Sequence, residues 1–158
     1  MFILKKKRMR YSDLFVQNGP PESIGNGNKS GWMTEKKFSQ TFKKHDFIKH
    51  VKPSEHDPVL LLLDNHHSHV NVEVVTKAKN NHIILLSFPP HCSHYLQPLD
   101  VGVYGPLMNY ISRQQTNWMI NHPGKTMTIH DLPGIVKEAF PLAFTQNNFI
   151  NSFKKAGI

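Results

Sequence analysis

The sequence predicts an α/β fold: a parallel βαβ core followed by C-terminal helices. Two short, unbroken apolar runs carry the first part of that prediction, "VLLLL" (59–63), bounded by Pro58 and Asp64, and "HIILLSF" (82–88), closed by Pro89–Pro90. Runs of this length without polar alternation read as strands covered on both faces. Between them "NVEVVTKAKN" (71–80) sets Val72, Val75 and Ala78 at helical spacing, with Asn80–Asn81 as a stop. Strand, helix and strand in so short a span make the two strands parallel neighbours. The third observation is the C-terminal half, where the patterns are helical.

Taken in order, "MFIL" reads as a strand that begins at residue 1, and residues 11–31, dense in Gly, Pro, Asn and Ser, read as loop. A helix starts near Thr34, with Glu35 in its first turn and Phe38 and Phe42 on one face. Phe47, Ile48 and Val51 form a second apolar group out of phase with the first, which predicts a break around His45–Asp46. After the βαβ unit a helix begins near Asp100, with Tyr104, Leu107 and Ile111 on one side. Pro106 is tolerated there if the first turn starts a residue or two later. Residues 128–140 and 145–158 complete the helices.

The 158 residues amount to one domain, with 39% hydrophobic residues and ten phenylalanines to build a core. A formal net charge of +8 favours polyanionic partners. A single cysteine, Cys92, makes no internal disulfide and fits a reducing compartment. No apolar run approaches the roughly 20 residues of a membrane span, so no membrane partner is expected. The cluster Lys5, Lys6, Lys7, Arg8 and Arg10 reads as phosphate contacts or a nuclear-import signal. A solvated strand end explains it as well.

"PVLLLLDNHHSH" (58–69) ends a core-like strand on Asp64, and "PPHCSHYLQPLDVGVYGPL" (89–107) leads to a second aspartate, Asp100. In open α/β sheets ligands sit outside the carboxyl ends of parallel strands. Asp64 stands at such an end, and Asp100 follows the neighbouring strand after a loop long enough to fold back to the same edge. Paired carboxylates repel and are tolerated chiefly around a cation. An oxygen-rich site suits Mg2+ or Mn2+, which serve phosphoryl transfer. A strand-end aspartate is also a common helix cap.

"LLLLDNHHSH", "LLSFPPHCSHYLQPLDVGVYGPL" and the upstream "SGWMTEKKF" resemble the DDE-superfamily endonuclease domain of pogo-, Tigger- and jerky-type transposases. The closing "NNFINSFKKAGI" is similar to that family's terminal F-x-x-x-G-I helix. The resemblance covers nearly the whole chain. It implies an RNase H-like fold, here partial, with Asp64 and Asp100 as the second and third acids of the catalytic triad. Asn65 and His69 match residues beside the second acid. His91, Ser93, His94, Gln97 and Pro98 match the loop leading to the third. The implied activity is cleavage and transfer of DNA strands with Mg2+ (or Mn2+), in the nucleus, with a homo-oligomer as an option in the intact parent protein. The family's first aspartate lies on a strand upstream of the segment matching "MFILKKKRMR", and nothing in this sequence supplies it. Asp13 falls too late. The expectation is an N-terminally truncated core, inactive alone.

Two other readings stand beside this one. A catalytically inactive or domesticated fragment would bind DNA through its basic charge, with steep salt dependence. A zinc module would use His66, His67, His69, His91, Cys92 and His94, but it leaves "DN" and "QPLD" unexplained.

Overall fold

The computed structural model describes residues 2–5, 16–28, 31–44, 47–66 and 71–158. The chain forms two compact units, one of residues 33–97 and one of residues 1–32 with 98–158.

In the first unit, α1 (Glu35–Lys44) and α2 (Phe47–Val51) are separate helices, as the shift in apolar phase predicts; residues 45–46 lie outside the described residues. Strand β3 (Val59–Leu63) and β4 (Ile83–Ser87) pair in parallel, with Val59 opposite Ile83 and Leu63 opposite Ser87. Helix α3 (Val72–Asn80) connects them. Its first turn is capped by Asn71, whose Oδ1 accepts the Val74 N–H at 3.0 Å. The core is Phe42, Val74, Ala78 and Ile83, with Phe38, Phe47, Ile48, Leu61 and Leu85 packed against it. Phe42 lies between Phe38 and Phe47, at centroid distances of 6.4 and 6.0 Å. The buried Ser39 hydroxyl donates to Glu73 at 2.5 Å and ties α1 to α3.

Two expectations need correction here. The buried stripe of α3 is Val74–Ala78, one helical turn apart, while Val72 is 84% exposed. A helix residue three positions from Ala78 and one six away both look core-facing in the pattern, and the phase is set only by where the strands lie. The strands are also not covered on both faces. Leu61, Ile83 and Leu85 face the helices, but Leu60, Ile84 and Leu86 on the other face are 52%, 55% and 48% exposed. Both α1 and α3 pack on the same side of the sheet, so parallel pairing holds while two-sided cover does not.

In the second unit, β1 (Phe2–Lys5) pairs in parallel with β2 (Gly25–Asn28), Phe2 opposite Gly25. The pattern of the sequence places "GNGN" in a loop instead. Ladder bonds use only backbone groups, and glycine and asparagine give no strand signal of their own. A π-helical turn (Leu99–Val103) leads into α5 (Tyr104–Asn121), so Pro106 falls in the first α-helical turn, where proline is tolerated. Helix α6 (Leu132–Ala143) buries Ile135, Ala139 and Ala143, one residue per turn. Helix α7 (Gln146–Ala156) is capped by Thr145, whose Oγ1 accepts the Asn148 N–H. It ends on Gly157 at φ 79°, with Gly157 N–H to Lys154 O and Ile158 N–H to Phe153 O. Those paired bonds are a Schellman cap, the physical content of the F-x-x-x-G-I ending. Among the described residues no helix is long and apolar enough to cross a membrane.

Candidate active site

Because Leu63 and Ser87 stand opposite each other, β3 and β4 finish at the same level, and the chain leaves them as Asp64 and Phe88. The Phe88 N–H bonds Leu63 O at 2.9 Å, extending the ladder one step past the strand. Asp64 is half-buried at this edge, and its Oδ1 accepts the His66 N–H at 3.3 Å, which turns the chain back over the strand end. The opposite wall is "PPHC". His91 holds φ 61°, and Cys92 N–H reaches Pro89 O at 3.4 Å, closing a β-turn with Pro90 in second place. A non-glycine residue in this conformation is uncommon, and such strain concentrates at functional sites.

Together these segments enclose a cleft of about 350 Å³ lined by Asp64, Asn65, His66, Pro89, His91 and Ser93, with Phe88 and Pro90 completing it. Of the residues singled out from the sequence, Asp64, Asn65, His91 and Ser93 come together here. His94 lies on the short helix α4 (Ser93–Leu96), its ring 4.0 Å from Tyr95, and Gln97 ends that helix with its N–H on Ser93 O. Neither lines the cleft. His69, Lys6, Lys7, Arg8 and Arg10 lie outside the described residues, as do His67 and Asp13; Lys5 ends β1. The motifs assign no catalytic part to His66 or to the Pro89–Pro90 wall. The signal for both is the strand-end position they share with Asp64.

Asp100 belongs to the second unit, exposed on the π-helical turn whose i→i+5 bond runs from Tyr104 N–H to Leu99 O. Single π-turns recur at functional sites because the extra residue redirects side chains. Val103 beneath it is fully buried, and Gly102 lies directly on Ser152 of α7. The turn is therefore held by packing.

The donor set is hard oxygen. Mg2+ is commonly held by one or two carboxylates plus substrate phosphates, keeping several waters. The carboxylate at the strand-end cleft, Asp64, is of the kind that mode uses. Among the described residues no three His, Cys, Asp or Glu side chains gather as a metal cluster; His67 and His69 lie outside them.

A family model described as DDE superfamily endonuclease matches residues 2–156. The chain belongs to the DDE endonuclease superfamily. A curated protein named MFS-type transporter clz9, from Cochliobolus lunatus, is 38% identical over 99 residues, which is 63% of this chain and 11% of that protein. The chain thus spans about a tenth of that relative. No solved structure gives a significant match.

Proposed function

We propose that this chain is catalytic-core sequence of a pogo-, Tigger- or jerky-type transposase with an RNase H-like fold, acting in the nucleus on DNA. Asp64 and Asp100 are the second and third acids. The observation that carries the reading is Asp64 at the shared C-terminal end of two parallel strands, opening on a cleft walled by Asn65, His66 and His91. The first acid has no match among the 158 residues and belongs, on this reading, to a preceding strand of the parent protein.

Each residue then has a task. The Asp64 carboxylate, fixed by the His66 N–H, presents an oxygen to a divalent ion. Asp100, carried on a packed turn of its own unit, is the other acid that would hold metal. Mg2+ or Mn2+, when bound, supplies activation of a water or 3′-hydroxyl and charge stabilisation at phosphorus. Asn65 and the His91 ring are placed to donate to phosphate oxygens at the rim, and the Pro89–Pro90 wall limits access of bulk water. His69, His94 and Gln97 assist the acids, as the family resemblance implies. The basic N-terminal cluster Lys5, Lys6, Lys7, Arg8 and Arg10 meets DNA phosphates.

The test is nicking of supercoiled plasmid with Mg2+ or Mn2+ by the parent protein and by its Asp64→Asn and Asp100→Asn variants. Loss of nicking in both, with DNA affinity kept, is the expected result. Nicking that survives both substitutions removes these residues from the reaction. No nicking by the unaltered protein, with salt-sensitive binding intact, selects the non-catalytic DNA-binding alternative.

A further inference from the structure

We propose that the cleft between α5 and α6 seats one unpaired nucleobase that carries an exocyclic amine, with Trp118 as its stacking surface. The proposal rests on the reading that DNA is the substrate, and it concerns a place that the catalytic residues do not use.

The cleft has a volume of about 220 Å³ and is lined by Gln114, Asn117, Trp118, Asn121, His122 and Glu138, over a floor of Gly134 and Ile135. It is smaller than the usual pocket for a drug-sized ligand and suits a single planar ring system. Its wall is aromatic. Trp118 and His122 stack with centroids 4.4 Å apart and planes 14° from parallel. The stack is locked, because His122 Nδ1 lies 2.8 Å from Trp118 O. A carbonyl only accepts, so Nδ1 carries the proton and Nε2 of the neutral ring is an acceptor.

Most of the remaining polar groups follow the same sign. Asn121 Nδ2 donates to Asn117 O at 2.9 Å, which leaves Oδ1 as an acceptor. Asn117 Nδ2 donates to Gln114 Oε1 at 3.3 Å, which leaves Asn117 Oδ1 as an acceptor and Gln114 Nε2 as a donor. Glu138 is exposed and its carboxylate has no partner among the described residues. A lining dominated by acceptors beside an aromatic ring complements an amine on a flat ring, as in cytosine, adenine or guanine, better than it does thymine. A carboxylate accepting from cytosine N4 is a known pairing of this kind. A cationic side chain would also stack on tryptophan. The net charge of +8, with exposed Arg113 and Lys137 adjoining Gln114 and Glu138 in sequence, favours the ligand that brings phosphates.

The experiment places Trp118 as the single tryptophan in a Trp32→Phe background and titrates short single-stranded oligodeoxycytidylate and oligothymidylate of equal length. The expected result is saturable quenching by the cytidine oligomer, with the thymidine oligomer about fivefold or more weaker. Trp118→Ala should weaken the cytidine oligomer by about tenfold, read by anisotropy of a labelled strand, and leave duplex affinity unchanged. Should that variant fail to fold, Glu138→Gln decides. Glu138 is exposed, so the fold stays intact, and loss of its negative charge should narrow the preference for cytidine over thymidine, whereas an unchanged preference counts against the proposal. Equal binding of both oligomers without quenching overturns the proposal, and so does preferential quenching by a trimethyllysine peptide. Asp64→Asn should leave the quenching intact. Cytidine-selective quenching by the chain, where the parent protein never nicks, would sink the catalytic reading and leave the cleft standing; nicking by the parent protein without quenching by the chain does the reverse.

Discussion

A Cβ built on Gly102 would stand 2.6 Å from the Cβ of Ser152 and 3.1 Å from its Cα. Neither neighbour is the end of a flexible chain, since Ser152 is buried on α7. The glycine of "QPLDVG" is thus a close-approach residue that seats the Asp100 turn on the terminal helix. Gly102→Ala should destabilise the protein by about 1–3 kcal/mol, the usual cost of overpacking. Urea unfolding measures it. Adding Ser152→Gly removes the nearest atom and should recover part of the loss despite its own helix penalty. A neutral Gly102→Ala would show that the turn is not held by this contact.

The α3 stripe gives a sharper comparison. Val74 is fully buried against Ile83 and Phe42, whereas Val72 is largely solvent-exposed. Val74→Ala should cost about 2 kcal/mol, between the Ile→Val and Leu→Ala ranges for buried sites. Val72→Ala should stay within about 0.5 kcal/mol. Equal costs in equilibrium unfolding would mean that the helix presents a different face to the strands.

That pair also marks the limit of what the residues alone disclose. The βαβ order and parallel pairing were legible because five-residue apolar runs flanked by proline have few other uses. The phase of α3 was not, since Val72, Val74 and Val75 are equally apolar and only the strand positions choose among them. Strand β2 was invisible because "GNGN" joins its ladder through backbone groups alone. At the site, Asp64 announced itself by ending a strand. The π-turn under Asp100 and the left-handed His91 gave no signal, because a π-turn differs from an α-turn in one hydrogen bond and histidine has no fixed backbone preference.

The start of α6 should be acid-sensitive. Asp131 Oδ2 accepts both the backbone N–H and the hydroxyl of Thr128 at 2.7 Å, a reach back from the N-cap position that closes the loop before the helix. These bonds hold the Asp131 carboxyl below its ordinary range, with nearby His122 and His130 adding smaller effects in the same direction. A depressed folded pKa gives stability that is complete above the ordinary aspartate value, about 3.9, and lost as pH falls through the lowered value. Thermal unfolding of the protein and of Asp131→Asn should therefore differ at neutral pH and converge in strong acid. A gap of constant size across that range would remove Asp131 from the account.

The final prediction separates binding from chemistry. Cleavage by the proposed route needs oxygens that hold a divalent ion against phosphate, and affinity in such a site grows with the number of carboxylates that converge on it. On the proposed reading two acids of the triad, Asp64 and Asp100, stand in this sequence and the first does not. Mg2+ gives up its waters reluctantly, so two carboxylates should hold one ion weakly and leave a second position without its protein ligand. In-line displacement then lacks stabilisation of either the attacking or the leaving oxygen, a barrier increase on the order of several kcal/mol. Phosphate attraction is a separate property, set by a net charge of +8 and independent of those carboxylates. The 158-residue chain should thus bind duplex DNA at low salt, with log K falling linearly against log salt, and nick no supercoiled plasmid with Mg2+ or Mn2+. On that reading a third carboxylate should be necessary for nicking. If the chain by itself nicks plasmid in a metal-dependent way, and Asp64→Ala and Asp100→Ala each abolish it, two acids suffice and the need for a third is refuted.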